Sequence, residues 1–231
     1  MSVRIEEIKK FVCSAQKSGA VYCAGCAGME RKRMRLYLVR HGETDWNIAS
    51  RIQGQTDIAL NEKGRQQAEE FAAAISEQGY QIDCIYTSFK QRAHETAEII
   101  GEALGIKPKV QPGLEEICLG KWEGYTWKQV RELFGEEYQM WRDNRRYQQP
   151  PSGESYQQLL NRLLPALEDM IGKEEGNVLV VTHSAVIMTL LSYLYDTPFE
   201  DMAKKYKTGN AQIVEVDVQL LQKMIKEWTK A

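Results

Sequence analysis

Arg40, His41 and Gly42 follow the apolar run Leu36-Tyr37-Leu38-Val39 without a gap. A buried strand ending in this triplet brings a cation, an imidazole and a permissive backbone to one point at the edge of a sheet. Ligands of open α/β sheets lie outside the carboxyl ends of strands, and a glycine lets the chain approach an anion closely. The combination suits holding and attacking a phosphate. A single turn histidine would not carry that reading, but two further segments extend the design. Ser88-Phe89-Lys90-Gln91-Arg92-Ala93 follows the strand-like Ile82-Asp83-Cys84-Ile85-Tyr86, and His183-Ser184-Ala185 follows Asn177-Val178-Leu179-Val180-Val181-Thr182. Each reads as strand, short turn and helix. Ser88 and Ser184 are N-cap candidates, and both helix starts would direct free N–H groups toward the same region. Two arginines and two histidines converging there would oppose phosphoryl charge, and guanidinium groups suit bidentate contact with its oxygens.

The motifs continue along the chain: Gly54-x-x-Asp57-x-x-Leu60-x-x-x-Gly64-x-x-Gln67-Ala68, then Arg92-Ala93-x-x-Thr96-Ala97, Leu114-x-Glu116, Gly120-x-Trp122-Glu123-Gly124 and Pro151-x-Gly153-Glu154-Ser155. Together with Arg40-His41-Gly42-Glu43-Thr44 and the late His183, this ordered set resembles the histidine phosphatase superfamily, the phosphoglycerate-mutase-like enzymes, over about residues 35 to 217. The resemblance implies that His41 is a nucleophile forming a phosphohistidine that water then hydrolyses. The attacking nitrogen must be unprotonated, so the other ring nitrogen needs a fixed acceptor. Arg40, Arg92 and His183 are implied as a clamp on the phosphoryl oxygens. Glu116 is implied as the acid that protonates the leaving oxygen, held neutral by nearby negative charge. Glu115 is its rival and reads as a solvated neighbour. Asn47 either adds a side-chain N–H to the site or is an ordinary turn residue. Glu43 and Glu154 also fall in motifs, and each could instead fix a helix start or a loop. His94 lies two residues beyond Arg92, and such residues do not share a helix face, so it is structural or exposed. Ser184 and Ala185 stand where the family often has glycines, which blurs the substrate subgroup.

These residues require a scaffold that alternates strands and helices, a three-layer α/β/α fold with a mostly parallel central sheet. Strands are expected at residues 36 to 39, 82 to 87, 177 to 182 and 211 to 217. Helices are expected from Asn61 as N-cap to about Gln78, with Ala68, Phe71, Ala72 and Ile75 on one face, and over 89 to 104, 126 to 134, 136 to 145 and 184 to 194. A long Leu-rich helix starts at Ser155, with a kink expected at Pro165.

The chain of 231 residues can bury one substantial core. We divide it into a catalytic domain over 34 to 231 and an N-terminal extension over 1 to 33, expected to be poorly ordered. Ile5, Ile8, Phe11 and Val12 have helical spacing, yet the segment holds too few apolar residues to fold alone. A true start at Met29 or Met34 would place it outside the native chain; an interaction segment is the alternative. Thirty basic and 32 acidic residues give a net charge of −2, with no general attraction to nucleic acid or acidic membranes. No apolar run approaches the roughly 20 residues that span a bilayer, and no signal peptide is evident, so a cytoplasmic location is expected. Five cysteines argue against a disulfide framework. Cys23 and Cys26 lack a second pair for zinc, and two of the three histidines are already assigned to phosphate, so neither metal nor cofactor is expected.

Other phosphate chemistries lack their motifs: no GxxxxGK[ST] loop occurs, and no cysteine precedes an arginine by six positions. Three readings remain: a phosphatase acting on a small phosphomonoester, in the manner of α-ribazole phosphatases or broad-specificity members; a cofactor-dependent phosphoglycerate mutase; and a non-catalytic phospho-ligand-binding module. The retained His41 and Glu116 disfavour the last. The mutases resembled here usually carry a long insertion after the double proline, whereas only Ser152 and Gly153 separate Pro151 from Glu154. The first reading is favoured on the expectation of a more open site. The leaving-group pocket is placed at residues 118 to 150, and the oligomeric state is left open.

Overall fold

Leu36-Tyr37-Leu38-Val39 and Val178-Leu179-Val180-Val181 are apolar at every position, the pattern of strands covered on both faces. In the computed structural model, which describes residues 34 to 230, they form β1 (Leu36–Arg40) and β4 (Val178–Thr182). Residues 1 to 33, with the expected short helix and the Cys23 and Cys26 pair, lie outside the described residues. Between these two strands the chain forms α1 (Asp45–Ile48), α2 (Glu62–Glu77), β2 (Cys84–Thr87), α3 (Gln91–Leu104) and β3 (Lys109–Val110). A single 3-10 turn at Gly120–Trp122 follows, then α4 (Trp127–Leu133), α5 (Gly135–Asp143) and α6 (Tyr156–Lys173). After β4 come α7 (Ser184–Leu194), α8 (Met202–Tyr206), β5 (Ile213–Val216) and α9 (Val218–Trp228).

The strands form one sheet in the order β3-β2-β4-β1-β5. All pairings are parallel except that of the edge strand β5 with β1. Strand alternation sends Tyr37, Val39, Ile85, Leu179 and Val181 against Phe71, Ala72 and Ile75 of α2 and Ala93, Ala97 and Ile100 of α3. The opposite set, including Leu38, Tyr86 and Val180, packs with Leu160, Leu164, Leu190 and Leu221 from α6, α7 and α9. The result is the three-layer α/β/α arrangement with a mostly parallel sheet. No helix among the described residues is long and apolar enough to cross a membrane.

Helix α2 begins at the expected cap, with the Asn61 side chain accepting from the Gly64 N–H at 2.8 Å. Helix α6 continues through Pro165, with nine buried residues along its length. Helix α9 was not foreseen; the Asp217 side chain caps it, and Leu221 and Ile225 are buried. The serine caps require correction. Helix α3 starts at Gln91 with Lys90 as its N-cap residue and no side-chain cap. The Gln91 N–H is satisfied instead by Asp57 Oδ1 at 2.9 Å, a partner from a distant loop. At α7 the N-cap residue is His183, and Ser184 is already helical.

The segment after β1 is clamped by both helices of one layer. The Gly42 N–H donates to Thr96 Oγ1 of α3 at 3.0 Å, and the Glu43 N–H to Gln67 Oε1 of α2 at 2.8 Å. Backbone meets backbone here: a Cβ on Gly64 would lie 2.1 Å from the Glu43 carbonyl oxygen, and one on Gly42 would lie 2.3 Å from the Gly64 oxygen. Alanine at position 64 therefore has to push the His41 segment away. We expect Gly64→Ala to destabilise the fold by about 1–3 kcal/mol despite the helix propensity gained. At Gly172 nothing beyond the local backbone of its own helix lies within 4 Å of an added Cβ, and Gly172→Ala should gain up to about 1 kcal/mol. Urea denaturation of the two variants checks the contrast.

Candidate active site

Parallel pairing sets the site. Arg40 lies opposite Thr182 in the β1–β4 register, and the His41 N–H donates to the Thr182 carbonyl at 3.0 Å. His41 and His183 therefore leave neighbouring strands at the same level, with ring centroids 5.3 Å apart. On the other side of β4, the Ser88 N–H continues the ladder to the Val181 carbonyl at 3.2 Å. Arg92 enters from the first turn of α3 and is fully buried.

Each group is held by short, local geometry. Nδ1 of His41 lies 2.7 Å from the Gly42 carbonyl oxygen, which can only accept. The ring proton is therefore on Nδ1, and Nε2 keeps its lone pair. Burial pushes the His41 pKa well below the ordinary histidine value, and Arg92 and Arg40 push it further down. Arg40 donates from Nη1 to the Thr208 carbonyl at 2.9 Å. Arg92 donates to the carbonyls of Thr56 and Gly54 at 3.0 and 2.9 Å. Nε of Arg40, Nε of Arg92 and Nδ1 of His183 are buried without a hydrogen-bond partner among the described residues. Such groups are costly unless something accepts from them, and an anion with several oxygens can do so. His183 Nε2 is committed to Ser88 Oγ at 2.9 Å.

Glu116 accepts from the Ile117 N–H at 2.9 Å and, at the start of α7, from the Ala185 N–H at 3.3 Å. Its pKa is raised, but by burial and not by neighbouring negative charge as the sequence led us to expect; Arg92 and Arg40 oppose the shift. Glu115 is not solvated. It is 7% exposed, accepts from the Gly113 N–H at 2.9 Å and pairs with Arg162 at 3.4 Å. Arg162 also donates to the Glu115 and Glu116 carbonyls at 2.8 and 3.0 Å and to Glu154 at 2.6 Å. Glu154 is thus a loop-fixing residue, and Glu43 accepts from the Asn61 side chain at 3.2 Å. His94 points away and pairs with Glu98 on the same helix.

Asn47 belongs to the α1 capping box, its Oδ1 accepting from the Thr44 N–H at 3.0 Å. Asn210, unmarked in the sequence, donates to the His41 carbonyl at 2.9 Å and to Asn47 Oδ1 at 3.4 Å. Among the described residues no group of three or more His, Cys, Asp or Glu side chains could hold a metal ion.

Residues 120 to 156 add an aromatic cluster. Trp127 stacks on Trp141 at 5.4 Å, Trp122 meets Trp141 edge-on at 5.3 Å, and the Arg145 guanidinium lies 4.2 Å above the Trp141 ring. The short connection after the double proline is a turn whose Glu154 N–H donates to the Cys118 carbonyl at 2.8 Å. It closes on residues 118 to 121, with the Lys121 N–H donating to the Pro151 carbonyl at 3.0 Å. Even so, His41 is only 2% exposed, so the short connection does not leave the imidazole open to bulk solvent as anticipated.

Residues 36–231 match the family model of the histidine phosphatase superfamily (branch 1). A 6-phosphofructo-2-kinase/fructose-2,6-bisphosphatase of Gallus gallus is 38% identical over 168 residues, 72% of this chain and 34% of the relative. The chain thus spans about a third of the length of that curated relative. A probable phosphoglycerate mutase, GpmB, of Erwinia tasmaniensis is 35% identical over 191 residues, 80% of this chain and 86% of the relative. A mycobacterial glucosyl-3-phosphoglycerate phosphatase complexed with VO3 superposes with a TM-score of 0.71 at 31% identity, covering 80% of this chain and 93% of that one. The motif order, the strand-end histidines and these matches converge: the chain belongs to branch 1 of the histidine phosphatase superfamily.

Proposed function

We propose that this chain hydrolyses a small phosphorylated metabolite through a phosphohistidine on His41, with water as the final acceptor. The observation that carries the reading is the His41 ring itself. Its Nδ1 proton is held by the Gly42 carbonyl, leaving Nε2 unprotonated in a site where Nε of Arg40, Nε of Arg92 and Nδ1 of His183 are buried without a partner among the described residues. Nε2 attacks phosphorus, and the ester P–O bond breaks. Arg40, Arg92 and His183 neutralise the charge on the phosphoryl oxygens, and Asn47 contributes its amide N–H group. Glu116 gives its proton to the departing alkoxide. In the second step Glu116, now a carboxylate, takes a proton from water as the oxygen attacks phosphorus. The N–P bond breaks, phosphate leaves and His41 is restored.

The alcohol portion sits against residues 118 to 150. Arg145 is fixed over Trp141, and its buried Nε has no hydrogen-bond partner among the described residues. Fructose-2,6-bisphosphatase, glucosyl-3-phosphoglycerate phosphatase and phosphoglycerate mutase are named for substrates with an acidic group besides the reacting phosphate. These names favour an alcohol bearing a carboxylate or second phosphate, while similarity to a proposed α-ribazole-5'-P phosphatase keeps an uncharged alcohol of that kind as the alternative. Similarity to a named mutase keeps isomerisation as the second reading.

His41→Ala should lower kcat by about a thousandfold or more and abolish an acid-labile phosphoenzyme trapped from radiolabelled substrate. Near-normal turnover in this variant would remove the assignment. The pH dependence follows from opposite shifts. His41 is neutral above its lowered pKa, and Glu116 is protonated below its raised pKa, so kcat/KM for esters of poor leaving groups should peak on the acid side of neutrality. Glu116→Gln should lower that rate roughly a hundredfold while largely sparing activated aryl esters, whose leaving groups need little protonation. Equal loss on both ester classes assigns Glu116 a positioning role. With 3-phosphoglycerate and 2,3-bisphosphoglycerate we expect inorganic phosphate to exceed 2-phosphoglycerate; fast isomerisation with little phosphate establishes the mutase reading instead.

A further inference from the structure

We propose that Ser88 is a positioning residue for His183: its hydroxyl donates to Nε2 and fixes the ring as the tautomer protonated on Nδ1. The inference rests on the proposed phosphatase activity, in which His183 meets a phosphoryl oxygen. Ser88 Oγ and His183 Nε2 lie 2.9 Å apart, and both residues are fully buried. Ser88 Oγ also accepts from the Lys90 N–H at 3.3 Å. A serine hydroxyl has one proton to give and two lone pairs. If Nε2 carried the ring proton, the oxygen would accept twice and its own proton would have no acceptor among the described residues. If the hydroxyl donates to Nε2, every atom at this contact is matched. The ring proton then sits on Nδ1, the buried nitrogen without a partner among the described residues.

This assignment works against the preference of neutral histidine in water, which favours a proton on Nε2. It also explains why a hydroxyl and not a carboxylate occupies the position. A carboxylate would draw a second proton onto the ring, whereas serine orients it without charging it. Burial, followed by Arg92, His41, Arg162 and Arg40, favours the neutral form. His41 is held in the same tautomer by a different device, the Gly42 carbonyl on Nδ1. The two rings then present opposite faces to one phosphoryl group: His41 offers an electron pair, and His183 offers an N–H.

The test is two-bond proton–nitrogen correlation NMR on nitrogen-15-labelled protein, which contains three histidines in all. His183 should be Nδ1-protonated in the resting protein and stay so with inorganic phosphate added. Ser88→Ala should shift His183 toward Nε2 protonation, leave the His41 signals in place and lower kcat/KM about tenfold, the effect of one ordinary hydrogen bond. Ser88→Thr should restore both tautomer and rate. An Nε2-protonated or doubly protonated His183 in the wild type overturns the proposal. So does an unchanged tautomer in Ser88→Ala, even with a lower melting temperature, because that pattern marks a purely structural serine. The wild-type spectrum needs neither substrate nor a folded variant, so it decides the tautomer whether or not the protein proves to be a phosphatase.

Discussion

The in-register parallel pairing of β1 and β4 is the constraint on which everything else depends. It ends at Arg40 opposite Thr182, and the next residue of each strand is a histidine. A slip of one residue would turn each side chain to the other face of the sheet and separate the two imidazoles. The pairing of β2 with β4, which runs to Thr87 opposite Val181, adds Ser88 one residue short of the two histidines. Backbone hydrogen bonds alone thus assemble three side chains, before any side-chain contact is made.

Electrostatics gives that alignment its tension. Two guanidinium groups approach one another where burial disfavours their charge, and Glu116 supports the charged form of both. The loops around them are tied by further carboxylates. Glu123 collects the Gln55, Thr56 and Leu119 N–H groups at 2.9 to 3.1 Å. It thereby fixes the segment whose Gly54 and Thr56 carbonyls hold Arg92. Arg162 and Glu154 do the same for the segment carrying Glu116. Rigid supporting contacts of this kind keep donors aimed without reorganisation.

Much of this was legible in the sequence because the decisive signals are local. Apolar runs ending in histidine marked β1 and β4, and Asn61 with Ala68, Phe71, Ala72 and Ile75 marked α2 and its buried face. What escaped was set by long-range partners. Ser88 looked like a helix cap by its immediate neighbours, but its hydroxyl belongs to a histidine 95 residues away. Glu115 looked solvated because Arg162, 47 residues on, gave no local sign of reaching it. Asn210 reaches across 169 residues to the His41 carbonyl from a segment without periodicity. Helix α9 was readable in principle, since Asp217 precedes Leu221 and Ile225 at helical spacing.

The aromatic cluster at residues 120 to 156 has an optical consequence. Three of the five tryptophans, Trp122, Trp127 and Trp141, lie in it, and the Trp127 and Trp141 rings stack at 5.4 Å with planes 18° apart. Indoles this close share excitation, so near-ultraviolet circular dichroism and intrinsic emission are weighted toward this region, the one proposed above to receive the alcohol half of a substrate. The cationic Arg145 resting on one of these rings couples that signal to charge. The chain thereby carries a built-in, label-free reporter on the segment between the 3-10 turn and α6.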